Sequence, residues 1–142
     1  VARFPGTGWN MGLMGFVAVG VGAALGAWLR WWLGLRLNPL FATLPLGTLA
    51  ANLAGGYLMG LALGGFGHWQ ALPPEWRLFV ATGFLGGLTT FSTFSAEVVT
   101  LLLRGEAAWA ALAVLAHGGG SFVLTWLGIL TVNLLLQALR GA

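Results

Sequence analysis

The stretch Gly83-Phe84-Leu85-Gly86-Gly87-Leu88-Thr89-Thr90-Phe91-Ser92-Thr93-Phe94-Ser95-Ala96-Glu97 decides how this chain folds. It lies inside an apolar run from about Leu78 to Leu103, long enough to cross hydrocarbon, which takes roughly 20 helical residues. Yet its centre gathers a glycine pair, a series of hydroxyls and a carboxylate. Glycine and short hydroxyl side chains weaken a helix. In hydrocarbon, irregular backbone is tolerated only where it is buried in protein or lines a cavity. A broken helix presents carbonyls and helix ends, which bind ions. Two readings are open, a plain kink and an ion site, and the hydroxyl run favours the ion site.

Three further apolar runs flank this one, from about Met11 to Leu33, Pro45 to Phe66 and Ala107 to Leu136. None alternates with period two, so helices rather than barrel strands are expected. The connections are short. Arg36, Asn38 and Pro39 lie in the first, His68, Pro73, Pro74 and Glu75 in the second, and Arg104, Gly105 and Glu106 form the third. The expected architecture is an all-α membrane protein, a single domain over residues 1–142 with four transmembrane helices, the third broken at its centre. The first run follows Arg3, Phe4, Pro5 and Gly6 and reads as a retained span, not a cleaved signal.

Composition agrees. Hydrophobic types make up 58% of the chain and charged types 6%, against about a quarter in soluble domains. Mean hydropathy is +0.91. There is no cysteine, which excludes disulfides and thiolate metal sites. The net charge of +3 comes from arginines spaced singly, so no patch exists to follow a nucleic-acid backbone. Trp9, Trp31, Trp32, Trp69, Trp76 and Trp109 sit near span ends, as the headgroup layer favours, while Trp28 and Trp126 lie deeper. Counting from the N-terminal side, Arg3, Arg77 and Arg140 fall on one side and Arg30, Arg36 and Arg104 on the other. This even split leaves no positive-inside bias. It fits either a weakly determined topology or insertion in both orientations, and the second permits an antiparallel homodimer.

Polar residues recur at helical spacing. Thr90, Thr93, Glu97, Thr100 and Arg104 share one face of the third span, with Ser92 and Ser95 beside it. Glu97 is the only acid inside a span, and either a structural bond to neighbouring hydroxyls or a functional role is open to it. Phe91 and Phe94 are one turn apart. They either pack or turn their electropositive ring edges to an anion. In the second span Thr48, Asn52, Gly56, Gly60 and Gly64 form one stripe, polar at one end and small at the other. In the fourth, His117, Ser121 and Thr125 do the same, next to Gly118, Gly119 and Gly120. Asn52 and His117 each admit a structural reading and a donor reading. Neutral donors can hold a small anion without trapping it, which suits conduction. There is no phosphate-binding loop, acid–base pair or activated nucleophile, so no enzyme is expected.

These residues also carry a family resemblance. Gly26 to Arg30 reads Gly-Ala-Trp-Leu-Arg, Gly47 to Asn52 reads Gly-Thr-Leu-Ala-Ala-Asn, and the segment from Gly83 to Phe94 is followed by Glu97. Together with the four-span length they resemble the bacterial fluoride channels of the Fluc family, also called CrcB, over roughly Gly22 to Gly128. The resemblance implies a homodimer of opposed subunits in the bacterial inner membrane, with two fluoride pathways along the subunit interface and passive export of fluoride. It places Phe91 and Phe94 on the anion path as edge-on contacts and makes Asn52 a donor there. Ser92 and Thr93 belong to the break, and Arg30 to the aqueous vestibule. It implies a structural sodium ion held by the Gly86 and Thr89 carbonyls of both subunits, and no organic cofactor. One departure stands out. Where the family's fourth helix often has a tyrosine and then serines four and eight residues on, this chain has Ala113, His117 and Ser121. A titratable ring thus enters the expected track, and as an added donor it would strengthen anion binding when protonated. The alternative reading is a secondary transporter of a small ion or solute with its site at the broken helix.

Overall fold

A computed structural model describes residues 12–68 and 71–141; Arg3, Trp9, Met11 and Trp69 fall outside them. Among the described residues four helical spans are long and apolar enough to cross a membrane, at Leu13–Leu40, Leu46–His68, Pro74–Leu103 and Ala107–Gly141. They confirm a multi-pass, all-helical membrane protein. The first span is helix α1 (Leu13–Leu37) ending in a 3-10 turn at Asn38–Leu40, and the second is α2 (Leu46–His68). The third starts with α3 (Pro74–Arg77), runs through a π-helical stretch at Leu78–Leu85 into α4 (Gly86–Leu88), and resumes as α5 (Phe91–Leu103). The fourth is α6 (Ala107–Val114), a second π-helical stretch at Leu115–Gly119, and α7 (Gly120–Gly141).

Local chemistry explains the ends. Pro74 opens the third span at a first-turn position where its missing N–H costs nothing, so the span begins before Leu78. The Asn38 side chain accepts from the Gly47 amide at 2.8 Å and ties the first connection to the start of α2. The turn between the third and fourth spans places Gly105 at φ 76°, a region open to glycine at little cost.

Glycine sets the packing. α1 lies against the first half of the third span, and α2 against α7. In the first seam, a Cβ on Gly22 would lie 2.5 Å from the Phe79 carbonyl, and one on Gly83 2.8 Å from that of Val19. In the second, side chains at Gly60 and Gly128 would collide with the backbone carbonyls of Thr125 and Tyr57. Backbones this close gain dispersion contacts that lipid cannot supply. The third span changes neighbours at its interruption, from α1 before it to α6 after it. Buried apolar residues form two small groups on either side, Ala51, Leu85 and Leu88 in one and Leu44, Leu101, Ala110 and Ala113 in the other.

Candidate functional site

The interruption falls at Thr89 (φ −80°, ψ 153°) and Thr90 (φ −148°, ψ 116°), both extended. The glycine pair lies just before it and is helical. The smallness of Gly87 serves packing instead, since a Cβ there would collide with the Ala23 carbonyl of α1, whereas one on Gly86 would meet no close neighbour. Each side of the gap is closed by a threonine. Thr89 spends its amide and its hydroxyl on the Leu85 carbonyl, at 3.0 and 2.9 Å. The Thr90 hydroxyl caps α5 by accepting from the Thr93 amide at 3.2 Å and donates to the Thr93 hydroxyl at 3.0 Å, with the Ser92 hydroxyl 3.3 Å away.

Asn52 clasps the gap from α2. Its Oδ1 accepts from the Thr90 amide at 2.7 Å and its Nδ2 donates to the Thr90 carbonyl at 3.1 Å. In an unbroken helix that amide would bond to the carbonyl of Gly86. The Gly87 carbonyl takes Arg30 Nε instead, at 3.1 Å. Asn52 Nδ2 also lies 2.9 Å from His117 Nδ1. His117 is 4% exposed and stacks on Phe94, with centroids 4.6 Å apart and planes at 28°. Phe91 meets Phe94 edge-to-face at 5.7 Å and 66°. One layer away the Thr48 hydroxyl donates to Glu97 at 2.5 Å. An open hollow of about 410 Å³ reaches this cluster, lined by Arg30, Trp31, Asn38, Thr48, Thr90 and Thr93.

The structure therefore joins Asn52, His117, Phe94, Phe91, Ser92 and Thr93 around Thr90. Arg30 lines the hollow. Ser121 is half-buried, and its backbone faces Gly56 of α2. Glu97 takes its hydroxyl from Thr48 of another span, not from Thr93 or Thr100 of its own; Thr100 bonds back to the Ala96 carbonyl at 2.8 Å. Thr90 is the central residue that pattern reading undervalues. It stands in the polar stripe, but nothing in the spacing marks it as the point where α2 grips the third span. Among the described residues no three His, Asp or Glu side chains gather to hold a metal. A cation here would need backbone oxygens, and the diverted Thr90 amide makes the Gly86 carbonyl a fitting one. Gly86 lies exposed on the surface of the chain, beside half-buried Thr89.

Fold and site together define a small four-span membrane protein whose interrupted third span is ringed by neutral donors and aromatic rings. The family model described as "CrcB-like protein, Camphor Resistance (CrcB)" matches residues 17–129, and the chain belongs to this family. A protein of Nitrosospira multiformis named "Fluoride-specific ion channel FluC" is 67% identical over 127 residues, covering 89% of this chain and 99% of the relative. Proteins of the same name from Cupriavidus taiwanensis and Dechloromonas aromatica are 61% and 58% identical. These alignments cover 88% and 87% of this chain and 99% and 92% of the relatives.

Proposed function

We propose that this protein is a passive fluoride channel of the bacterial inner membrane, working as two opposed copies with an ion path on each side of their shared face. High identity to relatives named as fluoride-specific channels, over nearly their whole length, supports the substrate. The observation that carries the pathway is the exposure of its residues. Phe91 is 79% exposed, and Ser92, Thr93 and Gly86 are exposed beside it. The path thus lies on the flank of the subunit, and a second copy would complete it.

In this reading Arg30 draws the anion into the hollow, and the hydroxyls of Ser92 and Thr93 replace part of its water. The rings of Phe91 and Phe94 offer their edges, and Asn52, His117 and Ser121 line the next step. Glu97, held by Thr48, keeps a structural role. The carbonyls of Gly86 and Thr89 from both copies would hold a sodium ion whose charge offsets their dipoles. The test is flux from liposomes carrying the purified full-length protein, followed with a fluoride electrode and repeated with chloride. Fast, electrogenic fluoride efflux with little chloride efflux is expected. Flux that needs a second solute gradient would replace the channel with a coupled transporter.

A further inference from the structure

Each polar contact of Asn52 has only one possible sense. The Thr90 amide can only donate, so the atom 2.7 Å from it is Oδ1; the Thr90 carbonyl can only accept, so the atom 3.1 Å from it is Nδ2. Turning the amide over would lose both bonds. The remaining Nδ2 hydrogen then points at His117 Nδ1, 2.9 Å away. Two donors cannot face each other at that distance, so Nδ1 carries no proton and accepts. The ring is neutral, with its proton on Nε2. That nitrogen is buried and meets no protein partner among the described residues. The stack on Phe94 holds the ring plane in place.

We infer that His117 is a positioning residue that holds Asn52 on the interruption, and that a proton arriving at Nδ1 releases this grip, so that acid shuts the pathway. Protonated Nδ1 would set N–H against N–H. If the amide turns to offer its oxygen, both Thr90 bonds go and the entry to α5 loses its tie to α2; if the ring makes a half-turn in its own plane, the stack on Phe94 survives but Asn52 loses its support from the fourth span. The groups facing the ring do not titrate, being Asn52 from α2 and Phe94 from α5. α6 has no titratable residue, and α7 has only Arg140 near its far end. On α2, Tyr57 bonds to Thr131 and His68 lies at the opposite end, while Glu97 of α5 is engaged by Thr48. The sign is opposite to that of a histidine serving simply as an added donor.

The inference rests on the fluoride-channel reading for its flux arm only, so two measurements keep the failures apart. The first is nitrogen-15 NMR of histidine-labelled full-length protein in bilayers, in a His68→Gln background that leaves His117 as the single histidine. A pyridine-type signal for Nδ1 and a pyrrole-type signal for Nε2 at neutral pH are expected, and the reverse assignment overturns the inference. The second is fluoride efflux between about pH 5 and 8, with the protein-free leak subtracted. Flux in the parent should fall by about tenfold per pH unit below a one-proton midpoint. His117→Gln, whose amide oxygen can still accept from Asn52, should flatten this dependence whatever its absolute rate. A parent flux that holds or rises in acid, or a glutamine variant with the parent's profile, overturns it. Absence of fluoride flux at every pH would count against the channel reading, and the NMR assignment would still decide the tautomer.

Discussion

At the scale of single residues, the ring pair is the sharpest test of the proposed path. Phe94 has one ring face on His117 and an edge-to-face contact with Phe91, while Phe91 itself is largely exposed. A residue serving only the packing of its own chain would be buried within it. Isoleucine at either position keeps apolar bulk but removes the polarised ring edge. Fluoride flux should fall about tenfold or more in Phe91→Ile and in Phe94→Ile, which corresponds to about 1.4 kcal/mol at the barrier. The variants should still assemble on size-exclusion chromatography. Near-parent flux in both would return the rings to packing. Much of this cluster is legible in the sequence, because Phe91, Phe94, Ser92 and Thr93 are neighbours in one motif. The joining of Asn52 to His117 is not. They lie on different spans, 65 residues apart, and no helical period relates them.

At the scale of elements, the two glycine seams differ in how readable they are. The stripe Gly56, Gly60 and Gly64 announces a close helix contact by its spacing, and α7 meets it. The pair Gly86–Gly87 is ambiguous, because the same residue type weakens a helix and lets a neighbour approach. α1 approaches closely at Gly87, and the interruption falls instead at Thr89 and Thr90, which can bond across the chain ends it creates. The π-helical stretches have no clear signal in the sequence beyond the glycine run at Gly118 to Gly120. Each such stretch widens a turn, and such features recur at functional sites. The second seam makes a clean prediction. In Gly60→Val the added carbons would press on the Thr125 backbone, which has no rotamer to escape into. Overpacking of this kind costs about 1–3 kcal/mol. Unfolding of the reconstituted protein in denaturing detergent should show a loss of that size, whereas Gly67→Ala, which meets open space, should change little.

At the scale of the whole molecule, the spans turn many large apolar side chains outward, Phe16, Leu103, Phe122 and Leu139 among them. Lipid can cover these. It is a poor cover for the exposed hydroxyls of Ser92 and Thr93 or the surface carbonyl of Gly86, and a second copy is a better one. The even division of arginines between the two ends fits copies inserted in opposite senses. Single cysteines added at Gly12, near the N-terminal end of α1, should be labelled by an impermeant reagent from both sides of the membrane. Replacing sodium with a much larger cation should loosen the dimer or silence flux. Labelling from one side only, or indifference to sodium, would count against opposed copies or against the proposed sodium ion respectively.

The pairing of the seams has a consequence for how the chain is made. α1 finds its closest partner in the third span, and α2 in the fourth. Odd spans lock with odd and even with even, so neither hairpin of consecutive spans is complete when it leaves the ribosome. The first two helices meet each other closely at Gly47, against Leu33 and Gly34, but the glycine faces at Gly22 and Gly60 must wait for partners until the second half of the chain is synthesised. Biogenesis of this small bundle is therefore a late, concerted closure, and a nascent chain arrested after the second span should remain open to extraction and proteolysis.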